Sequence, residues 1–371
     1  MKIAMFGHKR IPSREGGVEI VVSMIASRMA ALGHDLICYN RGGHHIGGAA
    51  YDEKKEKEYE GIRLKTVPTL DQKGLAAVTS SFFASMASSF SRAKVVHIHA
   101  EGPAFMSFLP KLFGKKVIVT IHGLDWQREK WKNGFASKYI RAGEKMAVRF
   151  ADEIIVLSRN VQQYFMETYG RKTVFIPNAV EKPEILPINA AKERFELEKE
   201  EYILFLGRLV PEKGVHYLIE AFRKIETDKK LVIAGAASDS ADYEKELYKL
   251  AAGDKRILMT GFVQGEILGS LYSNAAVYVH PSDVEGMPLS LLEAMSYGNC
   301  CLVSDILELT EVTENKAAVF EKGNVDSLAE KLEFLLKDND ARQRYQNEAQ
   351  AFICKKYNWD DVVKETLELY Q

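Results

Sequence analysis

The chain has 371 residues, 46% apolar and 27% charged, the composition of a globular protein with enough length for two domains and a core in each. Fifty Lys and Arg stand against 51 Asp and Glu, and a net charge of −1 excludes a global pull toward nucleic acid or acidic lipid. The four cysteines, Cys38, Cys300, Cys301 and Cys354, match no zinc spacing and no disulfide framework, so reduced thiols and a cytoplasmic chain are expected.

In chain order, short β-branched runs alternate with helical patterns. KIAMF, too short for a signal peptide, opens as a strand. DLICY, IRLKTV, VVHIH, KVIVTI, EIIVL and TVFIP follow, then YILFL, KLVIA, RILMT, AVYVH, CCLVS and AAVF. Strand–helix–strand repetition with short connections predicts an α/β fold of parallel sheets covered on both faces. The strands divide into two Rossmann-like sheets, and the proline-rich IPNAVEKPEILPIN between them reads as a linker. The expected domains are residues 1–183, residues 184–352 and a last helix over 353–371. Gly74 to Ser91, the longest uncharged stretch, is expected to be a buried or half-buried helix, since its many Ser and Thr argue against a transmembrane span.

Ligands of open α/β sheets bind at the carboxyl ends of the strands, so the chemistry is expected in the loops there. After the first strand, Gly16 and Gly17 open a helix. Glycines there let a backbone approach a ligand, although a plain strand-to-helix turn explains them equally, and the pattern is not the GxGxxG of a nicotinamide site. His122 follows KVIVTI and precedes Gly123, a placement that points it into a cleft, with a satisfied core histidine as the plainer reading. Beyond it, Trp126, Arg128, Lys130, Trp131 and Lys132 start a basic aromatic segment running to Phe150. It reads either as an acceptor or membrane surface or as an amphipathic helix with a solvated basic face. In the second half, Gly207, Arg208 and Lys213 lie in a loop closed by Gly214, where two cations suit a diphosphate. Phe262 and Val263 follow another strand and could offer backbone groups to a nucleobase.

The densest signal is EGMPLSLLE, from Glu285 to Glu293. Pro288 suits the first position of a helix. Glu285, Gly286 and Met287 then lie in the preceding loop, and Glu293 lies roughly 7.5 Å along the axis. Leu289 and Ser290 would offer unbonded N–H groups at the positive end of the helix dipole, an anion site between two carboxylates. A helix cap plus a solvated Glu is the plainer reading of that motif standing alone.

Together these features resemble a retaining glycosyltransferase of family 4. They are Gly16-Gly17, His122-Gly123, GRLVPEKG, PSDVEGMPLSLLEAM with its E-x7-E spacing, and the final NWDDVVKETLELY. The resemblance implies a GT-B fold, two Rossmann-like domains with parallel sheets facing across a cleft. It implies that Glu293 holds the ribose, Glu285 the donor sugar, Arg208 and Lys213 the leaving diphosphate, and Leu289 and Ser290 its phosphates. Gly16 and Gly17 would approach those phosphates from the other domain, and His122 would contact the sugar. No cofactor and no divalent metal are implied. The expected partners are a nucleotide-sugar donor and a glycan or lipid-linked acceptor at the inner face of a bacterial membrane, with no nucleic acid. HKRIPSREGG and HGLDWQREKW also resemble rhamnosyltransferase-like members that build capsule or cell-wall polysaccharide. A sugar-nucleotide epimerase and a non-catalytic nucleotide-sugar-binding partner of a glycan assembly complex are the alternatives. The departure from the family pattern is Met287-Pro288, where many relatives have an aromatic followed by a second glycine.

Overall fold

The computed structural model describes residues 1–43, 56–72, 74–127, 135–237 and 241–371. The chain forms two compact units, Met1–Asn178 with Trp359–Gln371, and Ala179–Asn358. These limits differ from 183/184 and 352/353 because the linker stays attached to the second unit. Val180 N donates to Tyr357 O, Leu186 N to Ser273 Oγ, and Ser270 Oγ to Pro187 O.

In the first unit the described strands are β1 (Lys2–Phe6), β2 (Asp35–Arg41), β3 (Glu58–Tyr59), β4 (Ile62–Val67), β5 (Val95–His99), β6 (Lys116–Ile121), β7 (Glu153–Val156) and β8 (Val174–Phe175). They form one sheet in the order β3-β4-β2-β1-β5-β6-β7-β8, parallel except for the β3–β4 pair. The helices used below are α1 (Gly17–Ala31), α2 (Leu75–Ser89), α3 (Phe108–Leu112) and α4 (Phe135–Phe150). Strands buried on both faces need no polar alternation, and Ile3 to Phe6 and Val95 to His99 are buried throughout.

The second unit has β9 (Tyr202–Leu206), β10 (Lys230–Ala234), β11 (Ile257–Gly261), β12 (Val277–His280), β13 (Cys301–Ser304) and β14 (Ala318–Phe320). All are parallel, in the order β11-β10-β9-β12-β13-β14. Two of its helices matter here, α5 (Val215–Arg223) and α6 (Leu289–Ser296). The last helix, α7 (Trp359–Leu369), returns to the first unit and packs on α1, with Trp359, Val362 and Val363 buried.

Strand order locates the sites before any side chain is considered. In each sheet the connections leave in opposite directions from two adjacent central strands, and the crevice at the carboxyl ends of that pair is where α/β sheets take ligands. The pair is β1 and β5 in the first unit, β9 and β12 in the second.

Candidate active site

In the second unit, β9 runs out through Gly207 and Arg208 into the single turn Pro211–Lys213, and β12 into residues 281–288. Gly214 closes the turn in the left-handed region at φ +65°, where a Cβ would sit 2.0 Å from Pro281 O. Only glycine lets the two loops come this close. Asp283 N donates to Glu212 O at 2.8 Å, and Tyr217 OH donates to Asp283 Oδ2 at 3.3 Å, which stitches them further.

The result is a charged cluster at the switch point. Lys213 Nζ lies 2.5 Å from Glu285 Oε1, and His280 Nε2 lies 2.7 Å from the same oxygen. The Lys213 and Glu285 side chains are 12% and 8% exposed, and His280 is fully buried. Burial alone would raise the Glu285 carboxyl, but the Lys213 charge and the His280 hydrogen bond outweigh it and hold it well below the usual carboxylate range. Burial pushes the His280 imidazole down, assisted by Lys213 and opposed by Glu285. A neutral His280 gives its Nε2–H to the carboxylate, so Nδ1 is left to accept from Tyr278 OH at 3.1 Å. The tautomer follows from this bonding pattern.

Helix α6 starts one residue later than the sequence predicts. Pro288 is its cap, at φ −75° and ψ 118°, and its carbonyl accepts from Leu291 N at 3.2 Å and Leu292 N at 3.3 Å. The extended ψ turns that carbonyl onto the first turn. The N–H groups of Leu289 and Ser290 precede the first intrahelical bonds and carry the positive end of the dipole. Glu293 is half-buried one turn on, its Oε2 3.3 Å from Tyr272 OH, which also reaches Ser290 O at 3.2 Å. Gly286 and Met287 are buried between the two carboxylates. Phe262 and Val263 follow β11, at the same carboxyl edge but two strands from β9.

Lys213, Glu285 and Glu293, expected from the sequence, lie at this strand end with Arg208 on the β9 loop, whereas the sequence did not point to His280, Tyr278 or Tyr272, which bond to the two carboxylates or to each other. A His at a strand end five residues before Glu285 was a readable signal. The tyrosines look like core until their hydroxyls are placed.

At the first unit's switch point, Gly7 at φ +111° passes under β5, and a Cβ there would lie 2.0 Å from His99 O. His8 Nε2 hydrogen-bonds Asn40 Oδ1 at 3.0 Å, and Asn40 ties down Ile11 through both its backbone groups. Gly16 caps α1 and Gly17 is its first residue. A Cβ on Gly16 would meet Glu19 Oε2 at 2.4 Å, while Glu19 Oε1 accepts from Lys9 N at 2.7 Å. His122 follows β6, its Nε2 3.1 Å from His99 Nδ1. His99 stacks on His97 with ring centres 4.2 Å apart, and His97 hydrogen-bonds Tyr370 OH at 2.6 Å and Thr120 Oγ1 at 2.7 Å. Burial drives His97 down to about 3 and His99 well below the ordinary histidine value. His99 Nε2 is buried without a partner, and a buried lone pair is cheaper to leave unmatched than a buried N–H. The proton of His99 therefore sits on Nδ1 and is donated to His122 Nε2, which puts the proton of a neutral His122 on Nδ1.

Trp126 is no outward-facing anchor. Arg141 covers its ring at 4.3 Å, Tyr164 lies at 6.1 Å, and its Nε1 is buried. Arg128, Lys130, Trp131 and Lys132 lie outside the described residues. Along α4, Lys138, Arg141, Lys145 and Arg149 form an exposed basic face over buried Ile140 and Ala147, an amphipathic helix of the ordinary kind. Among the described residues, no three His, Cys, Asp or Glu side chains converge as a metal-ligand set.

Residues 15–182 match the family described as Glycosyltransferase Family 4, and residues 188–364 match Glycosyl transferases group 1. The chain is 28% identical over 394 aligned residues to the uncharacterized glycosyltransferase MJ1607 of Methanocaldococcus jannaschii, covering 100% of this chain and 98% of that one. Sucrose-phosphate synthase from Thermosynechococcus elongatus superposes with a TM-score of 0.84 at 19% identity, covering 100% and 98%. Anabaena HepE in complex with UDP-glucose superposes with a TM-score of 0.82 at 18% identity, covering 99% of each chain.

Proposed function

Because the chain carries the Glycosyltransferase Family 4 and Glycosyl transferases group 1 domains in tandem and is a GT-B glycosyltransferase of the group 1 type, we propose that it moves a sugar, with retention, from a nucleoside diphosphate donor to a glycan or lipid-linked acceptor of a surface polysaccharide. The observation that carries this reading is the cluster of Lys213, Glu285 and His280 beside the N-terminus of α6. HepE, the structural neighbour, is solved with UDP-glucose, which fits a nucleotide-sugar donor here.

In this reading the second unit holds the donor. Glu293 accepts from the ribose hydroxyls, with Tyr272 orienting its Oε2. The phosphates meet the N–H groups of Leu289 and Ser290. Lys213 and His280 both bond Glu285 Oε1, so Oε2 is the oxygen for a hydroxyl of the donor sugar. Lys213 lies within reach of the diphosphate and, with Arg208, stabilises the charge that grows as the C1–O bond to phosphate breaks. The acceptor oxygen bonds to C1 on the same face, and its proton passes to the departing phosphate oxygen. His122 contacts the reacting sugar. Two fixed cations supply the electrostatics that a metal provides elsewhere, so the reaction is proposed to be metal-independent. Rhamnose is the proposed donor sugar, on the resemblance of HKRIPSREGG and HGLDWQREKW.

The test is a turnover screen. The purified chain is incubated in chelator with UDP-, TDP- and GDP-sugars, with and without glycoside or lipid-linked acceptors, and nucleoside diphosphate release is followed by mass spectrometry. Release from one donor that disappears in Glu285→Ala is expected. Tight nucleotide binding without release from any donor–acceptor pair sinks the transferase reading, and activity that returns only with Mg²⁺ sinks metal independence.

A further inference from the structure

Helix α2 is built inside out. Its buried side is Ala76, Ser80, Ser81, Ala84, Ser85, Ser88 and Ser89, while Leu75, Phe82, Phe83, Met86 and the cap residue Phe90 face outward. The serines are buried at little cost, because their hydroxyls donate to carbonyls. Ser81 Oγ reaches Ala77 O at 2.7 Å, Ser89 Oγ reaches Ser85 O at 2.7 Å, and Ser85 Oγ reaches Met106 O at 3.0 Å. The outward residues recur at helical spacing, so they form one stripe about 22 Å long. Phe113 extends it, with its ring 4.6 Å from that of Phe90, and Leu112 at the end of α3 lies beside it. Phe90 is 68% exposed and Leu112 72%. In all, roughly 600 Å² of apolar side chain faces outward, at or above the largest patch common on a monomer.

The chain segment that carries the stripe is basic. From Gly74 to Thr120 the only carboxylate is Glu101, which is buried, against Arg92, Lys94, Lys111, Lys115 and Lys116. Lys111 is paired with Asp152 at 2.5 Å. Lys115 Nζ bonds only carbonyls, those of Ser91 and Ala93. Among the described residues no carboxylate pairs with Arg92, Lys94, Lys115 or Lys116.

We propose that the outward face of α2, continued by Phe113 and Leu112, docks this protein on an anionic lipid bilayer. A helix with aromatic and aliphatic residues on one face, lying flat with cations at its rim, matches the headgroup boundary. A second copy fits less well. The stripe is one helix wide and smaller than the about 800 Å² per partner that stable dimers hide, and two such rims would bring like charges together. The inner side of the same helix supports the assignment. There Ala77, Ser80, Ser81 and Ala84 line a cavity with His8 and Arg41, at the carboxyl end of β1. An acceptor anchored in the bilayer would thus be presented one helix away from that crevice. This last step rests on the proposed reaction, whereas the docking itself does not.

The experiment is co-sedimentation of the full chain with phosphatidylcholine–phosphatidylglycerol vesicles and with pure phosphatidylcholine vesicles. It compares wild type, Phe82→Gln/Phe83→Gln/Met86→Gln and Arg92→Gln/Lys94→Gln. Wild type is expected to bind the anionic vesicles, weakening as salt is added. The apolar variant should lose about tenfold or more in binding, and the cation variant about tenfold on anionic vesicles alone. Both variants replace exposed residues, so an unchanged circular dichroism spectrum and unchanged turnover of a soluble acceptor are expected. No binding by wild type, or equal binding by the apolar variant, overturns the proposal. So does a concentration-dependent dimer, seen by sedimentation velocity, that the apolar variant abolishes, because a second copy then covers the face. If wild type binds vesicles but turns over no nucleotide sugar, the docking stands and the transferase reading falls.

Discussion

Lys213 and Glu285 neutralise each other, and that bears on what each contributes. Nearly buried, the pair costs desolvation on both sides, and breaking it leaves an uncompensated charge. In the proposed reaction Lys213 faces a diphosphate that becomes more negative as the sugar leaves, so its contribution is larger in the transition state than in the ground state. Lys213→Ala is therefore expected to lower kcat at least tenfold, a floor below the roughly 2–4 kcal/mol that such contacts supply. Steady-state kinetics on the donor found by the screen checks this, and an unchanged kcat removes Lys213 from the chemistry. His280 is fully buried and bonds Glu285, so its effect on the reaction is expected to pass through that carboxylate. His280→Phe is expected to swing the carboxylate away from the sugar and raise the donor KM more than it lowers kcat. A variant at wild-type KM would show that Lys213 alone holds Glu285 in place.

Elements were more legible than the contacts between them. The fully buried strands read off as apolar runs, and their alternation with helices gave two parallel sheets. Among the described strands only β3, two residues long and flanked by charge, escaped notice. Two kinds of information were missing. Periodicity shows that a helix has two faces but not which one is buried. In α2 the serines and alanines point inward because their hydroxyls are satisfied locally and small residues let the helix sit close to β1. The other missing kind is long-range pairing. Lys213 and Glu285 were each legible as charges in loops, but they lie 72 residues apart, and nothing local announces that they touch. Gly214 is the residue that makes them meet, and this gives a prediction for the turn. Gly214→Ala forces a Cβ to within 2.0 Å of Pro281 O at a left-handed backbone position. The turn must move, so a loss of about 2 kcal/mol or more in the second unit's stability is expected, together with weaker nucleotide binding. Urea unfolding and nucleotide titration measure both, and a variant equal to wild type in each would show that the two loops can separate freely.

For the whole molecule, the buried histidines tie stability to pH. His8, His97 and His99 belong to the first unit and all are lowered, chiefly by burial. The groups around them are Tyr370, Thr120, Asn40, His122 and the carboxylate of Glu19, so little negative charge is available to hold a proton. His97 falls to about 3 from an ordinary 6.5. Between those values the unfolded chain binds a proton that the folded one refuses, so stability is full above about pH 6.5 and declines as pH falls. For His97 the slope is about 1.4 kcal/mol per pH unit, and His8 and His99 add in the same direction. In the second unit His280 adds the same sign, and Glu285 adds a further loss below the ordinary carboxylate range. Denaturant unfolding should therefore show the first unit weakening from about pH 7 to about pH 5 faster than the second, because it carries more of these histidines. The His97 partner Tyr370 lies in the C-terminal segment, 273 residues away in sequence. Removing residues 359–371 would strip α7 from α1, take away the buried Trp359, Val362 and Val363 that cover that helix, and open His97 to water. The truncated first unit is expected to unfold earlier but with a shallower pH slope, since a hydrated His97 takes up its proton in the folded state too. A truncated chain as steep as the intact one would place the slope on His8 and His99 and leave α7 with packing alone.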